Sequence, residues 1–213
     1  MATINTILWD VGGVLLTNGW DQKGRAAVLS RFGLDRDAFE QRHEEPNDAW
    51  EKGLITVDEY LQKTVFHEPR NFTPDEFFAA MKAESQVLAD SALGILAALA
   101  ASDAVLLGMV NNESRELNDY RIQKFRLRDY FKVFLSSCYV GLRKPGARIF
   151  ELALDVLQRD AESVVFVDDR PGNVAAANAL GIHGIQYQGS EPLRAEFERL
   201  GISLGAEAGA RIA

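Results

Sequence analysis

The chain has 213 residues, 47% of them hydrophobic and 25% charged, the balance of a globular protein long enough to bury a substantial core. A net charge of −8 argues against nucleic acid or an anionic membrane as the main partner, yet leaves small anions open, because local donors or a bound cation can reverse the sign of a site. The single cysteine, Cys138, allows no internal disulfide and reads as a buried small apolar residue in a reducing compartment.

Residues 7–9, Ile-Leu-Trp, read as a buried strand that ends on a carboxylate, Asp10. Val11, Gly12 and Gly13 follow, and the glycines let the backbone turn sharply and approach a ligand. From 18 to 85 the pattern is helical. Asp21 caps a segment that reaches Phe32 and stops at Gly33, and Asp35 opens another, expected to run to about Glu45 and stop before Pro46. Thr56 with Glu59 and Thr73 with Glu76 are capping boxes, the second with Pro74 at the first helical position. Apolar residues at helical spacing follow each box: Tyr60, Leu61 and Val65, then Phe77, Phe78 and Met81.

Beyond residue 90, helix and strand alternate. Helices over 91–101, 114–124, 147–157 and 174–180 lead in turn to strands over 104–110, 133–135, 163–167 and about 184–187. A last helix over 192–200 precedes a Gly- and Ala-rich tail, 205–213, expected to fray. Such alternation implies an α/β protein: a Rossmann-like parallel sheet with helices on both faces. The strand before Asp10 joins that sheet, so the core is expected over 1–17 and 86–213, with a four-helix unit over 18–85 inserted after the first strand. Residues 1–5 carry no basic segment, and the longest Ala/Leu run, 92–101, is far below a membrane span; a cytoplasmic protein is expected.

Polar residues of a particular kind end each core strand. Asn111, Asn112 and Ser114 follow the second, where amides and the free N–H groups of a helix start can bind an anion or simply cap the helix. Lys144 stands before Pro145, which turns it away from helical backbone and can aim its ammonium into a crevice. Asp168 and Asp169 end the strand over 163–167; buried strands avoid carboxylates unless these are paired or hold a cation, and a pair supplies hard oxygen ligands for Mg²⁺. Together these residues offer a carboxylate nucleophile, a metal to neutralise phosphate, amide donors and a lysine on one sheet edge.

The stretches around Asp10, Asn111-Asn112, Lys144-Pro145 and Asp168 to Asn173, in that order, resemble the four motifs of haloacid dehalogenase (HAD) superfamily hydrolases with a helical cap inserted after the first motif. The resemblance implies that Asp10 is the nucleophile that becomes an aspartyl-phosphate and also touches Mg²⁺. It implies Asp169 as the first acidic metal ligand with Asp168 beside it, and the Gly12 carbonyl as a backbone ligand. Asn111 and the Asn112 N–H would bind the phosphoryl oxygens, and Lys144 would neutralise nucleophile and phosphate.

Two departures from the family pattern stand out. Family phosphatases usually carry an acid/base Asp two residues after the nucleophile, where this chain has Gly12, and Asn111 replaces the usual Ser or Thr. General acid/base groups are typically worth ~10²- to 10⁴-fold, so slow turnover is one expectation. The leading reading is a Mg²⁺-dependent phosphatase acting on a small phosphorylated metabolite such as a sugar phosphate, as monomer or homodimer. The alternatives are a 2-haloacid dehalogenase, which two adjacent repelling carboxylates disfavour, and a binding protein for phosphometabolites without turnover. Within the helical unit, Trp20, Arg42, His43 and Trp50 are candidate specificity residues, against the plainer reading of buried tryptophans and a solvated polar face. His67 and His183 have no metal-ligand spacing.

Overall fold

β1 (Thr6–Trp9) lies at the centre of an all-parallel sheet ordered β3-β2-β1-β4-β5 in a computed structural model that describes residues 3–204. Its neighbours are β2 (Leu106–Met109) and β4 (Val164–Asp168), flanked by β3 (Val133–Phe134) and β5 (His183–Gln186). Thr6 pairs in register with Leu106 on one side and Val164 on the other, so three strand tips end level. The tail 205–213 lies outside the described residues.

Parity along the strands decides which helices cover which face. Ile7, Trp9, Val165 and Val167 meet α5 (Leu93–Ser102) and α10 (Ser190–Arg199) through Leu96 and Phe197. Leu8, Val164 and Phe166 pack instead on Ile149 and Phe150 of α8 (Ala147–Leu157) and Ala177 of α9 (Pro171–Ala179). Both faces are covered, which is why β1 and β4 are continuous apolar runs rather than alternating ones. Each large side chain withdrawn from water here contributes about 1.5–3 kcal/mol.

Between β1 and α5 the chain forms α1 (Gln22–Arg31), α2 (Arg36–Glu51), α3 (Val57–Thr64) and α4 (Pro74–Ala83). Both capping boxes form, and the Asp21 and Asp35 side chains accept backbone N–H groups at the starts of α1 and α2. α2 corrects the sequence reading, because it runs on through Pro46 to Glu51. Its buried stripe Phe39, His43, Pro46 and Trp50 continues at helical spacing past the proline, so packing outweighs the one lost backbone hydrogen bond. These helices close around an aromatic cluster of Trp20, Phe39, Trp50, Tyr60 and Phe77, joined by Leu117 from α6 (Arg115–Lys124) of the sheet domain.

A short helix not expected from the sequence, α7 (Ser137–Val140), follows β3 and carries Cys138, which is buried and whose thiol is pushed up to about 12 by desolvation. α9 begins at Pro171, three residues earlier than expected, since proline fits the first turn of a helix. Among the described residues no helix is long and apolar enough to cross a membrane.

Candidate active site

The level strand tips bring Asp10, Asp168 and Asp169 together, with one carboxylate oxygen from each within 4.8 Å of the others. Lys144, 4% exposed, sits among them, with its Nζ 3.0 Å from Asp10 Oδ1 and 2.6 Å from Asp168 Oδ2. Asp168 is saturated: its oxygens also accept from Asn173 Nδ2 at 2.9 Å and from the Arg170 N–H at 2.8 Å. Asp169 differs. Among the described residues nothing donates to its buried Oδ1, and its Oδ2 has only Asn18 Nδ2 at 3.5 Å.

Three carboxylates against one ammonium leave two negative charges in a place poorly reached by water. Burial first, and then Asp168, raise the Asp10 carboxyl to about 7 against the opposing pull of Lys144, and burial with Asp168 raises Asp169 as well. A hard divalent cation answers both the charge and the orphaned oxygen of Asp169, so the donor set fits Mg²⁺. Asp10 and Asp169 are the residues free to hold it directly, with Asp168 bracing Lys144.

Gly13 is required by this geometry. Its backbone has φ +72°, and a Cβ there would overlap the Asp169 carboxylate. Gly13→Ala is expected to displace the Asp169 carboxylate and weaken divalent-cation affinity by at least about tenfold, the loss that even an outer-shell partner's removal typically causes, read by calorimetric titration of Mg²⁺; unchanged affinity would count against this account of Asp169.

The two asparagines differ from what their order suggests. Asn112 clamps the Lys144 backbone, its Nδ2 donating to the Lys144 carbonyl (2.8 Å) and its Oδ1 accepting the Lys144 N–H (2.9 Å). Asn111 donates to Asn118 Oδ1 (3.0 Å), and among the described residues its own buried Oδ1 has no donor. Turning the Asn111 and Asn118 amides over together keeps their mutual hydrogen bond, lets Ser136 Oγ donate to Asn118, and presents Asn111 Nδ2 to an anion.

A chamber of about 470 Å³ opens above these groups, within the size range of small-molecule sites. Gly12 lines it, as do Trp20 and Trp50 from the helical unit, while Arg42 is exposed and His43 is buried in the aromatic cluster. Trp20 Nε1 donates to the Tyr60 hydroxyl (2.7 Å), which is also hydrogen-bonded to His43 Nδ1 (2.7 Å). Desolvation, aided by Arg25, lowers His43 to about 4, so it stays neutral and structural. His67 is exposed, and the His183 Nε2 meets the Glu162 carbonyl at 3.0 Å.

Sequence reasoning missed three arginines that line the chamber, each already held by acid. Arg25 makes a two-pronged bond to Glu40 (2.8 Å each), Arg121 pairs with Glu113 (2.9 Å), and Arg143 pairs with both Asp48 and Glu51 (2.6 Å each). No local pattern marks them, because every partner is distant in sequence. Arg143 and Glu116 tie the helical unit to the sheet domain, Glu116 accepting from Trp50 Nε1 (2.8 Å) and the Val57 N–H (3.0 Å).

The sequence signature of haloacid dehalogenase-like hydrolases matches residues 4–181, from β1 through α9. The chain belongs to that family. Among HAD relatives, the flavin mononucleotide hydrolase 1 of Arabidopsis thaliana is 28% identical over 93% of the chain and 78% of its own length. A sesquiterpene phosphatase of Aspergillus oryzae is 25% identical over 93% of the chain and 97% of its own length. Of the pig bifunctional epoxide hydrolase 2, which it also matches, the chain spans 39%. The fold is that of the HAD family enzyme bt-2542 of Bacteroides thetaiotaomicron in its magnesium complex, with TM-score 0.79, 21% identity, and 92% and 99% of the two chains covered. This HAD chain is therefore a hydrolase with relatives named as phosphatases.

Proposed function

We propose that this hydrolase is a Mg²⁺-dependent phosphatase for a small, hydroxyl-rich phosphomonoester such as a sugar phosphate, acting in the cytoplasm. The observation that carries this reading is the buried set Asp10, Asp168 and Asp169 around Lys144, two charges short of balance, beneath a chamber with polar walls. Arg25, Arg121 and Arg143 on the walls are each already paired with acid, so the deep cation site, with the exposed Arg170 at the chamber's edge, is where a phosphate gains most, and the walls offer hydrogen bonds suited to hydroxyls rather than to an isoprenoid tail.

In this reading Asp10 attacks phosphorus and the bond to the substrate oxygen breaks, giving an aspartyl-phosphate that water then hydrolyses. Asp10, Asp169 and the Gly12 carbonyl would hold Mg²⁺, which would supply charge neutralisation on the transferring group. Lys144 holds the Asp10 oxygen in place and balances phosphate charge, while Asn112 keeps the lysine backbone fixed. Asn111 and the Asn112 N–H face the phosphoryl oxygens. The helices between Trp20 and Ala83 act as a cap that excludes water, tied down by Arg143 and Glu116.

The test is phosphate release from a panel of phosphomonoesters, with Mg²⁺ and with chelator, beside halide release from chloroacetate. Mg²⁺-dependent phosphate release supports the proposal. Halide release without phosphate release would make the chain a dehalogenase. Thermal stabilisation by beryllium fluoride with Mg²⁺, and release of neither product, would make it a binding protein.

A further inference from the structure

Two residues after Asp10 stands Gly12, and the space its missing side chain would occupy is filled from across the crevice. A Cβ on Gly12 would lie 2.5 Å from Asn18 Oδ1. Asn18 is half-buried on the segment that leads from the sheet domain to α1, and it lines the same chamber as Asp10. Its amide bridges the glycine on one side and Asp169 Oδ2, at 3.5 Å, on the other. The segment is fixed on both sides of Asn18: Arg121 donates to the Thr17 carbonyl (3.2 Å) and its guanidinium fills the space beside Gly19.

We propose that Asn18 occupies the slot from which a carboxylate would exchange protons with substrate and water, and acts there as a non-titrating positioning residue. The inference rests on the phosphatase reading. In the first step an Asp10 oxygen bonds to phosphorus as the bond to the leaving oxygen breaks with its electron pair. A carboxamide has no proton to give at neutral pH, so the leaving oxygen takes one from water. In the second step a water oxygen bonds to phosphorus, the bond to Asp10 breaks and restores the carboxylate, and the water's proton passes to phosphate or bulk water. Asn18 Oδ1 accepts a hydrogen bond from that water and orients it without removing its proton. Two consequences follow from the missing transfer: turnover depends steeply on how good the leaving group is, and the phosphoenzyme persists.

The test uses the full chain with Mg²⁺, aryl phosphates of graded leaving-group pKa, an alkyl sugar phosphate, and rapid-quench measurement of phosphoenzyme. Asn18→Asp places a titrating group in the slot with almost no change of shape. It is expected to raise kcat on the alkyl ester at least ~10-fold, flatten the leaving-group dependence, and lower steady-state phosphoenzyme. Asn18→Ala, which loses one hydrogen bond to water, is expected to lower kcat by about tenfold at unchanged KM. Gly12→Asp alone overlaps Asn18 and loses activity, and Gly12→Asp combined with Asn18→Gly recovers it. Thermal melts of each variant separate these effects from misfolding. Wild-type leaving-group dependence and kcat retained in Asn18→Asp and Asn18→Ala would overturn the inference and leave the phosphatase reading standing. Failure of the wild type to release phosphate from any ester would remove both.

Discussion

Asp10→Asn is expected to reduce phosphate release by about 10⁴-fold or more, as loss of a nucleophile does, while making the cation-free protein more stable. The stability half follows from the pKa. Burial holds the Asp10 carboxyl near 7 in the folded chain against 3.8 for a free side chain, so the folded state binds a proton that the unfolded state has released. Stability from this group is therefore full below pH 3.8 and lost as pH rises to about 7. Above that window the ionised carboxylate is a standing cost, which asparagine removes, and Lys144 keeps its 2.6 Å partner Asp168. Thermal melts in chelator at pH 8 and at pH 5 check this, with the gain over wild type larger at pH 8. Each kcal/mol recovered moves Tm by about 2–4 °C in a chain of this size. Mg²⁺ should narrow the gap by stabilising the wild type more than the variant. A variant less stable than wild type at pH 8, or one that turns over normally, would contradict the reading of Asp10.

Arg121→Ala is expected to have the largest effect on folding itself. Arg121 is 3% exposed and pairs with Glu113, itself 6% exposed, at 2.9 Å. It also donates to Ser85 Oγ (3.0 Å) and to the Thr17 carbonyl (3.2 Å), the two places where the chain crosses between the sheet domain and the helical unit. Removing one partner of a buried pair leaves the other charge unanswered and typically costs about 3–5 kcal/mol. That corresponds to a Tm lower by roughly 6–20 °C at about 2–4 °C per kcal/mol. Arg121→Ala combined with Glu113→Gln should recover part of the loss, because the stranded carboxylate is gone. Denaturant and thermal unfolding of the single and double variants provide the check; a single variant within 1 °C of wild type would show the pair to be dispensable. Since Thr17 and Gly19 flank Asn18, the single variant should also lower turnover beyond what the loss of folded protein explains.

Much of the chamber floor could be read along the chain because its acids sit at strand tips, and strands announce themselves by apolar runs such as Val164 to Val167. Asp10, Asp168 and Asp169 directly end or follow such runs, a parallel sheet brings all its tips to one edge, and Lys144, ten positions beyond β3 and past α7, was legible through the proline that follows it. The walls were not legible in this way. Arg25, Arg121 and Arg143 are marked by no periodicity, and their partners Glu40, Glu113, Asp48 and Glu51 are separated from them by 8 to 95 positions, so only packing brings them face to face. Asn18 escaped for the same reason, since its relation to Gly12 and Asp169 exists only across a crevice.

By itself the sequence determined the types and order of the elements apart from the short α7, the α/β alternation, the helical insertion, and the family to which the four motifs belong. These follow from local rules, namely capping boxes, apolar period and turn residues, which act over a few positions and survive in one dimension. Tertiary structure alone decided that α2 continues through Pro46, that Asp168 rather than Asp169 is spent on Lys144, that Asn112 clamps a backbone, and that Asn18 fills the space over Gly12. Each of these is a choice between partners of equal chemistry. The distances and burial that settle such a choice arise only when distant segments are packed against one another.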